Sequence, residues 1–356
     1  MSGDADTGVK KRFRPLLKIL KISGLILTLA GYGISLFWCI GAIVYTPVFP
    51  EWLRIPAIVL LLLTTISLLL FKPHRYFLGG GLTLLIVFSL LWGTIKPSNS
   101  WSWAAEYERL PLITWASDND SFTIRDIRDF HFRTTTDFDK VYLTDTFKIS
   151  RLKAIDFISV YWPQPCEEDI AHIMLRFRFD DGKIFLVSCE TRRTENGEYG
   201  AINNLYKQSG KTYIIATEHD VLSLRTNIRD PRERVYIYEM NLTASQREQI
   251  LCALLASAND LHDNPQFYNT LTANCYTGLL PAMKAGMDLP LFQFSFLASG
   301  RAPQDLYNAG YLKHAPGESF EALKERSYLN PFMEKWDHDP ATYSGLVRAW
   351  EKENKK

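Results

Sequence analysis

Residues 172–190 read His-Ile-Met-Leu-Arg-Phe-Arg-Phe-Asp-Asp-Gly-Lys-Ile-Phe-Leu-Val-Ser-Cys-Glu. The first eight alternate strictly, with Ile173, Leu175, Phe177 and Phe179 on one side and His172, Met174, Arg176 and Arg178 on the other. A period of two is the signature of a strand with one apolar face. Asp180-Asp181-Gly182 is turn chemistry, and the apolar run 184–190 reads as the return strand, so the segment is a β-hairpin. A three-residue loop with Gly182 in the left-handed region pairs Phe179 with Lys183 and, counting back, sets His172 opposite Glu190. A two-residue Asp-Gly turn would place Ile173 there instead. The favoured register puts an imidazole beside a carboxylate on the polar face of a sheet.

Weaker strand signals surround the hairpin, at 122–127, 141–143, 154–161, 213–217, 221–225 and 234–238. Helices follow. Thr243 and Gln246 have capping-box spacing, and Leu251, Leu254, Leu255 and Ala258 recur at helical intervals. Asn274 is a good N-cap for a helix starting at Cys275, with Pro281 expected to shorten or kink it. Segments 303–309 and 318–326 are the best helical pieces of the remainder. The fold class is therefore α+β.

The N-terminal part has another character. Of 356 residues, the first 94 carry nine Lys/Arg against three Asp/Glu, and the rest carry 31 against 36. The mildly acidic larger part argues against nucleic-acid binding, which normally needs a basic face. Segments 22–45, 55–71 and 77–95 contain no charged residue. The first exceeds the ~20 residues that span a bilayer, and the second is at the short end of spanning length. Three spans are expected. A cleaved signal peptide fits poorly, because further apolar runs follow. Lys10, Lys11, Arg12, Arg14, Lys18 and Lys21 precede the first span, and Lys72 and Arg75 lie between the second and third. The positive-inside rule then places 1–21 in the cytoplasm and 121–356 outside it, after a linker at 96–120. Trp92, Trp101 and Trp103 suit an interfacial belt. The expected location is a bacterial inner (cytoplasmic) membrane, multi-pass, with the large domain facing the periplasm. If 77–95 does not cross, the domain is cytoplasmic instead.

Cys39, Cys166, Cys189, Cys252 and Cys275 are too few for a disulfide scaffold and have neither CxxC spacing nor a nearby His. No metal or cofactor is expected. Cys189 and Cys252 read as packing residues, and Cys166 could be free or bridged. Cys275 differs: at a helix start, unpaired amides and the helix dipole favour a thiolate and can help form an oxyanion hole. A helix-start cysteine beside a strand histidine is how papain-like folds pair nucleophile and base. His219, flanked by Glu218 and Asp220, reads as part of a solvated turn, and His131 has no evident partner.

The motifs "AHIMLRFRFDDGK", "SCETRR", "TEHDVLSLRTN" and "NPQFYNTLTANCYT" occur in that order. Over roughly 125–326 the chain resembles the bacterial family of periplasmic domains named after the N-terminal domain of Lnb, a lipoprotein N-acyltransferase. The resemblance implies a circularly permuted papain-like (NlpC/P60-type) fold, in which the His strand precedes the Cys helix, as in lecithin:retinol acyltransferase. It implies Cys275 as nucleophile, His172 as general base and Glu190 as the orienting group. Asn274, Arg192 and Arg225 fall on motif positions, as substrate-binding or oxyanion candidates. Tyr276 stands where a small polar residue is expected, and His219 where an arginine is. Lnb itself is expected to lack the N-terminal spans.

Three functions follow as expectations. The first is a membrane-anchored thiol acyltransferase that moves an acyl chain from a membrane lipid to a lipoprotein amine, through an apolar groove. The second is a cysteine amidase or peptidase on cell-envelope peptides, with an open polar cleft. The third is a non-catalytic scaffold retaining the fold.

Overall fold

The computed structural model describes residues 4–46, 50–70, 74–163, 169–197, 200–291 and 293–354; Cys166 lies outside them. The chain divides into two compact units. One is Met1–Lys96 with Tyr206–Gln208, and the other is Pro97–Leu205 with Ser209–Lys356.

The smaller unit is helical: α1 (Asp4–Tyr45), α2 (Glu51–Leu70) and α3 (His74–Thr94). Among the described residues, one helical stretch, Lys18–Tyr45, is long and apolar enough to cross a membrane by length and composition. The three expected spans are thus reduced to one candidate. The other two helices have less uncharged length: α2 opens with Glu51 and Arg54 and contains Pro56, and α3 opens with His74 and Arg75.

The larger unit is built on a mixed sheet. Its strands are β1 (Leu112–Trp115), β2 (Ser121–Arg128), β3 (His131–Phe132), β4 (Phe138–Asp139), β5 (Tyr142–Lys148), β6 (Leu152–Tyr161), β7 (Ala171–Phe179), β8 (Ile184–Arg192), β9 (Gly210–Ala216) and β10 (Arg234–Glu239). The large sheet runs β1-β2-β9-β8-β7-β6-β10, with β5 also on β2, while β3 and β4 form a separate ribbon. The segment expected to be a linker belongs to the fold, since β1 pairs antiparallel with β2. Trp101 and Trp103 pack against each other, and Trp103 lies under Arg192.

The hairpin takes the three-residue loop. Gly182 has φ +86°, the Phe179 N–H donates to the Lys183 carbonyl at 3.0 Å, and Met174 pairs with Ser188. Continued two residues, that register sets His172 opposite Glu190. β7 is an interior strand, and both its faces are covered. Ile173, Leu175 and Phe177 meet Leu254, Leu255, Tyr276 and Leu279 from α4 (Ala244–Asp263) and α5 (Cys275–Gly286). On the other face, Met174 and Leu186 join Val221 and Leu222 with Trp336, Tyr343, Val347 and Trp350. Most of these last come from a helical tail of α6 (Ala302–Asn308), α7 (Phe320–Arg326), α8 (Asn330–Met333) and α9 (Pro340–Asn354).

Two local expectations fail. Segment 221–225 is not a strand but lies in a π-helix, His219–Ile228. Val221, Leu222 and Leu224 are all buried, and a short apolar run does not distinguish a buried strand from a buried helix. The polar face of β7 is not solvated either. Arg176 is fully buried between Asp156 at 2.8 Å, Glu218 at 2.6 Å and Glu351 at 2.6 Å. Those carboxylates come from β6, the residue before the π-helix, and α9, so a charge that alternation assigns to water instead ties three elements together. Pro281 does not stop α5, which runs on to Gly286.

Candidate functional site

Three of the singled-out side chains come together. His172 sits at the start of β7 and is 7% exposed. Its Nε2 is 3.0 Å from Glu190 Oε1, a close ion-pair contact whose angle falls short of a formed hydrogen bond. Cys275 opens α5, which packs on the opposite face with its first residue at the end of the sheet. There the thiol donates to the Ala171 carbonyl at 3.7 Å and is near enough to the His172 imidazole to help raise its pKa. Ser299 fixes this strand end, donating to the Ala171 carbonyl at 2.6 Å and accepting from the Ala171 N–H at 3.1 Å.

Burial opposes a charge on His172, but the Glu190 carboxylate and the neighbouring thiol outweigh it and raise the imidazole to about 9. Burial also works against the Glu190 charge. The facing imidazole and then Arg225 outweigh it, holding the carboxyl far below the usual range, helped by the Ser188 hydroxyl at 2.9 Å. A base raised to about 9 matches the ~8.5 of an ordinary thiol, so it can hold the proton that a cysteine gives up.

The helix start is not an open oxyanion hole. The Cys275 N–H donates to the Tyr268 hydroxyl at 3.1 Å. Asn274 Oδ1 accepts from Tyr276 N at 3.0 Å and Thr277 N at 2.8 Å, while Thr277 Oγ1 accepts from Asn274 N, a capping box. Asn274 therefore spends its acceptor on the helix, and its amide donates to the carbonyls of Thr270 and Phe296. Tyr268 is the residue that sequence reasoning missed. It stands seven positions before Cys275 within the quoted motif, but nothing in its spacing shows which amide it meets.

The two arginines part company. Arg225 lies 3.5 Å from Glu190 Oε1 and 3.6 Å from Glu233 Oε2. Arg192 donates instead to the Tyr107 and Glu108 carbonyls and to Asn99, with its guanidinium over Trp103 at 4.3 Å. It braces the chain before β1 and is not brought to the Cys275 group. The Glu218-His219-Asp220 cluster is buried rather than solvated. Glu218 pairs with Arg176, and Asp220 takes both Nε and Nη2 of Arg128, at 2.9 and 2.6 Å.

A cavity of about 490 Å³ opens beside His172 and Glu190. Arg128, Arg193, Arg225 and Arg229 line it with Glu106, Glu233 and Trp162, so it is a charged cleft, not the apolar groove expected for an acyl chain. Each of these guanidiniums faces a carboxylate of the chain: Arg128 with Asp220, Arg193 with Glu106, Arg225 with Glu190 and Glu233, and Arg229 with Glu233.

No curated protein matches the chain, and no solved structure does. One family model matches residues 138–300, a span that takes in His172, Glu190 and Cys275: over these residues the chain is similar to the Lnb N-terminal periplasmic domain.

Proposed function

We propose that this protein is a membrane-anchored periplasmic cysteine acyltransferase, with α1 as its anchor. The observation that carries the reading is the meeting of the Cys275 thiol, the raised His172 imidazole and the ionised Glu190 at one strand end. In this reaction His172 takes the thiol proton and the sulfur attacks the acyl carbonyl of a phospholipid. The ester C–O bond breaks, the lysolipid alkoxide leaves with the proton from His172, and the acyl group stays on Cys275 as a thioester. An incoming amine then displaces the sulfur, its proton passing through His172 to the departing thiolate, and the amide product departs. Glu190 holds the imidazole and balances its charge in both steps. The Lnb-like family supports the reading, because a periplasmic domain held at a bilayer meets both lipid donor and lipoprotein acceptor.

The polar cleft gives a second reading, a cysteine amidase acting on cell-envelope peptides, in which water replaces the amine. Intact-mass measurement of the detergent-purified protein after incubation with phospholipid separates them. A fatty-acyl increment that maps to Cys275, and is absent in Cys275→Ser, is the expected result. Fast alkylation of Cys275 by a small electrophile with no acyl increment would shift the assignment to the amidase. If Cys275 is neither acylated nor reactive, the scaffold reading takes over.

A further inference from the structure

Asp129 follows β2, His131 opens β3 and His219 opens the π-helix. One ligand-type atom from each, two imidazole nitrogens and a carboxylate oxygen, lie within 4.8 Å of one another. His219 Nδ1 is 3.6 Å from Asp129 Oδ1, and His131 Nε2 is 3.6 Å from Asp129 Oδ2. Both separations are too long for hydrogen bonds. They are close to the spacing of neighbouring ligands around a tetrahedral ion with bonds of about 2.0–2.1 Å. Small side-chain rotations bring all three within reach of one ion.

The second observation is His219 itself. The residue is 4% exposed and its Nδ1, which points at Asp129, has no hydrogen-bond partner. A buried, unpartnered imidazole nitrogen is costly unless something fills its lone pair. Its acidic neighbours in sequence are already engaged, Glu218 with Arg176 and Asp220 with Arg128. Asp129 is oriented from behind by the Thr217 hydroxyl, which donates to Oδ1 at 2.5 Å. Such an outer partner is typical of a ligating carboxylate. His131, with 38% of its side chain exposed, opens the group to solvent, so an ion can enter and a water can complete its shell.

We propose that Asp129, His131 and His219 bind a divalent transition-metal ion of the zinc class, with one position open to solvent. Two nitrogens and one oxygen are a zinc donor set rather than a calcium or magnesium one. The ion clamps the β3–β4 ribbon to the π-helix. Phe132, Thr135 and Thr136 of the ribbon segment line the charged cleft, and the π-helix carries Arg225, so the clamp sets one wall of that cleft. The inference does not depend on the acyltransfer reading. A cysteine-centred search of the sequence misses this group, because its members lie far apart in the chain and none is a cysteine.

The test titrates Co(II) into the detergent-purified, chelator-stripped full chain. One equivalent is expected to bind with d–d absorption but no thiolate charge-transfer band, and to be displaced by zinc. His131→Ala, a change at a half-exposed side chain whose folding circular dichroism can verify, is expected to abolish that signal. Zinc is also expected to raise the thermal midpoint of the wild type and leave that of His131→Ala unmoved. The absence of saturable binding overturns the proposal, as does a titration unaltered in His131→Ala or a thiolate band showing that cysteines hold the metal. In those cases the three side chains are an ion-paired cluster only.

Discussion

Glu190 decides the state of His172. An imidazole buried to this degree loses basicity unless a negative charge faces it, and here the carboxylate more than restores what burial removes. Glu190→Gln keeps the shape and removes the charge. The His172 titration midpoint, followed by NMR, is expected to fall from about 9 to below the ordinary 6.5. The sign for stability follows by linkage. A folded-state pKa raised above the unfolded one contributes stability that is complete below the unfolded value of about 6.5 and fades as pH rises through about 9. The gap in thermal midpoint between wild type and Glu190→Gln should therefore narrow from neutral pH to about pH 10. A constant gap would mean that the carboxylate acts through packing alone. At this scale the sequence was informative where chain geometry is local. Turn chemistry fixes the hairpin register, and the register brings His172 to Glu190. The N-cap places Cys275 at a helix start. The acceptor that Cys275 finds, the Tyr268 hydroxyl, depends on how the loop before α5 folds back, and no period in the sequence encodes that. Arg192 and Arg225 look alike in their motifs, yet one braces the domain and the other faces the site. The difference lies in what surrounds them in space.

Between elements, α5 must lie close to β8 if its first residue is to reach the end of the sheet. Gly278 makes that approach possible: a Cβ there would come within 2.3 Å of Cys189 Sγ and 2.9 Å of its Cβ. Tyr213 locks the contact by donating its hydroxyl to the Gly278 carbonyl at 2.7 Å. Gly278→Ala is expected to cost about 1–3 kcal/mol by overpacking, despite alanine's better helix propensity. Paired with Cys189→Ala, which removes the sulfur, it should recover much of the loss. A thermal-denaturation double-mutant cycle measures the coupling, and additive single effects would show that α5 is not seated on β8 through this glycine. The same scale shows why α4 and α5 could be read from the chain and the π-helix could not. The first two carry caps and a helical apolar stripe. His219–Ile228 has eight buried residues, Arg225 and Asp220 among them, and no amphipathic face to read. Its Asp220 is held by a partner remote in sequence, Arg128 from β2. The polar stripe of β7 misleads in the same way, because α9 arrives from the end of the chain to cover Arg176.

For the whole molecule, the side of the membrane on which the cleft lies depends on how many helices cross. Six Lys/Arg lie between residues 10 and 21, before the uncharged part of α1, and the positive-inside rule predicts a cytoplasmic N-terminus from them. One crossing, by α1 alone, delivers the larger unit to the periplasm. Three crossings do the same, since α2 and α3 then form a returning pair. Only an even number leaves the Cys275 group in the cytoplasm, away from lipoprotein acceptors. The charges between the helices favour an odd number. Lys72 and Arg75 lie at the junction of α2 and α3, while in the first turn of α2 the basic Arg54 is matched by Glu51. A C-terminal alkaline phosphatase fusion should therefore be active and the matching green-fluorescent-protein fusion dark. A phosphatase fusion truncated between α2 and α3 separates the two odd arrangements. If α2 crosses, its end lies in the cytoplasm and the truncated fusion is inactive. If only α1 crosses, the truncated fusion is as active as the full-length one. A dark phosphatase fusion on the native chain would place the cleft in the cytoplasm and remove the physical basis for lipoprotein acylation, while leaving the Cys275–His172–Glu190 geometry intact for a different substrate.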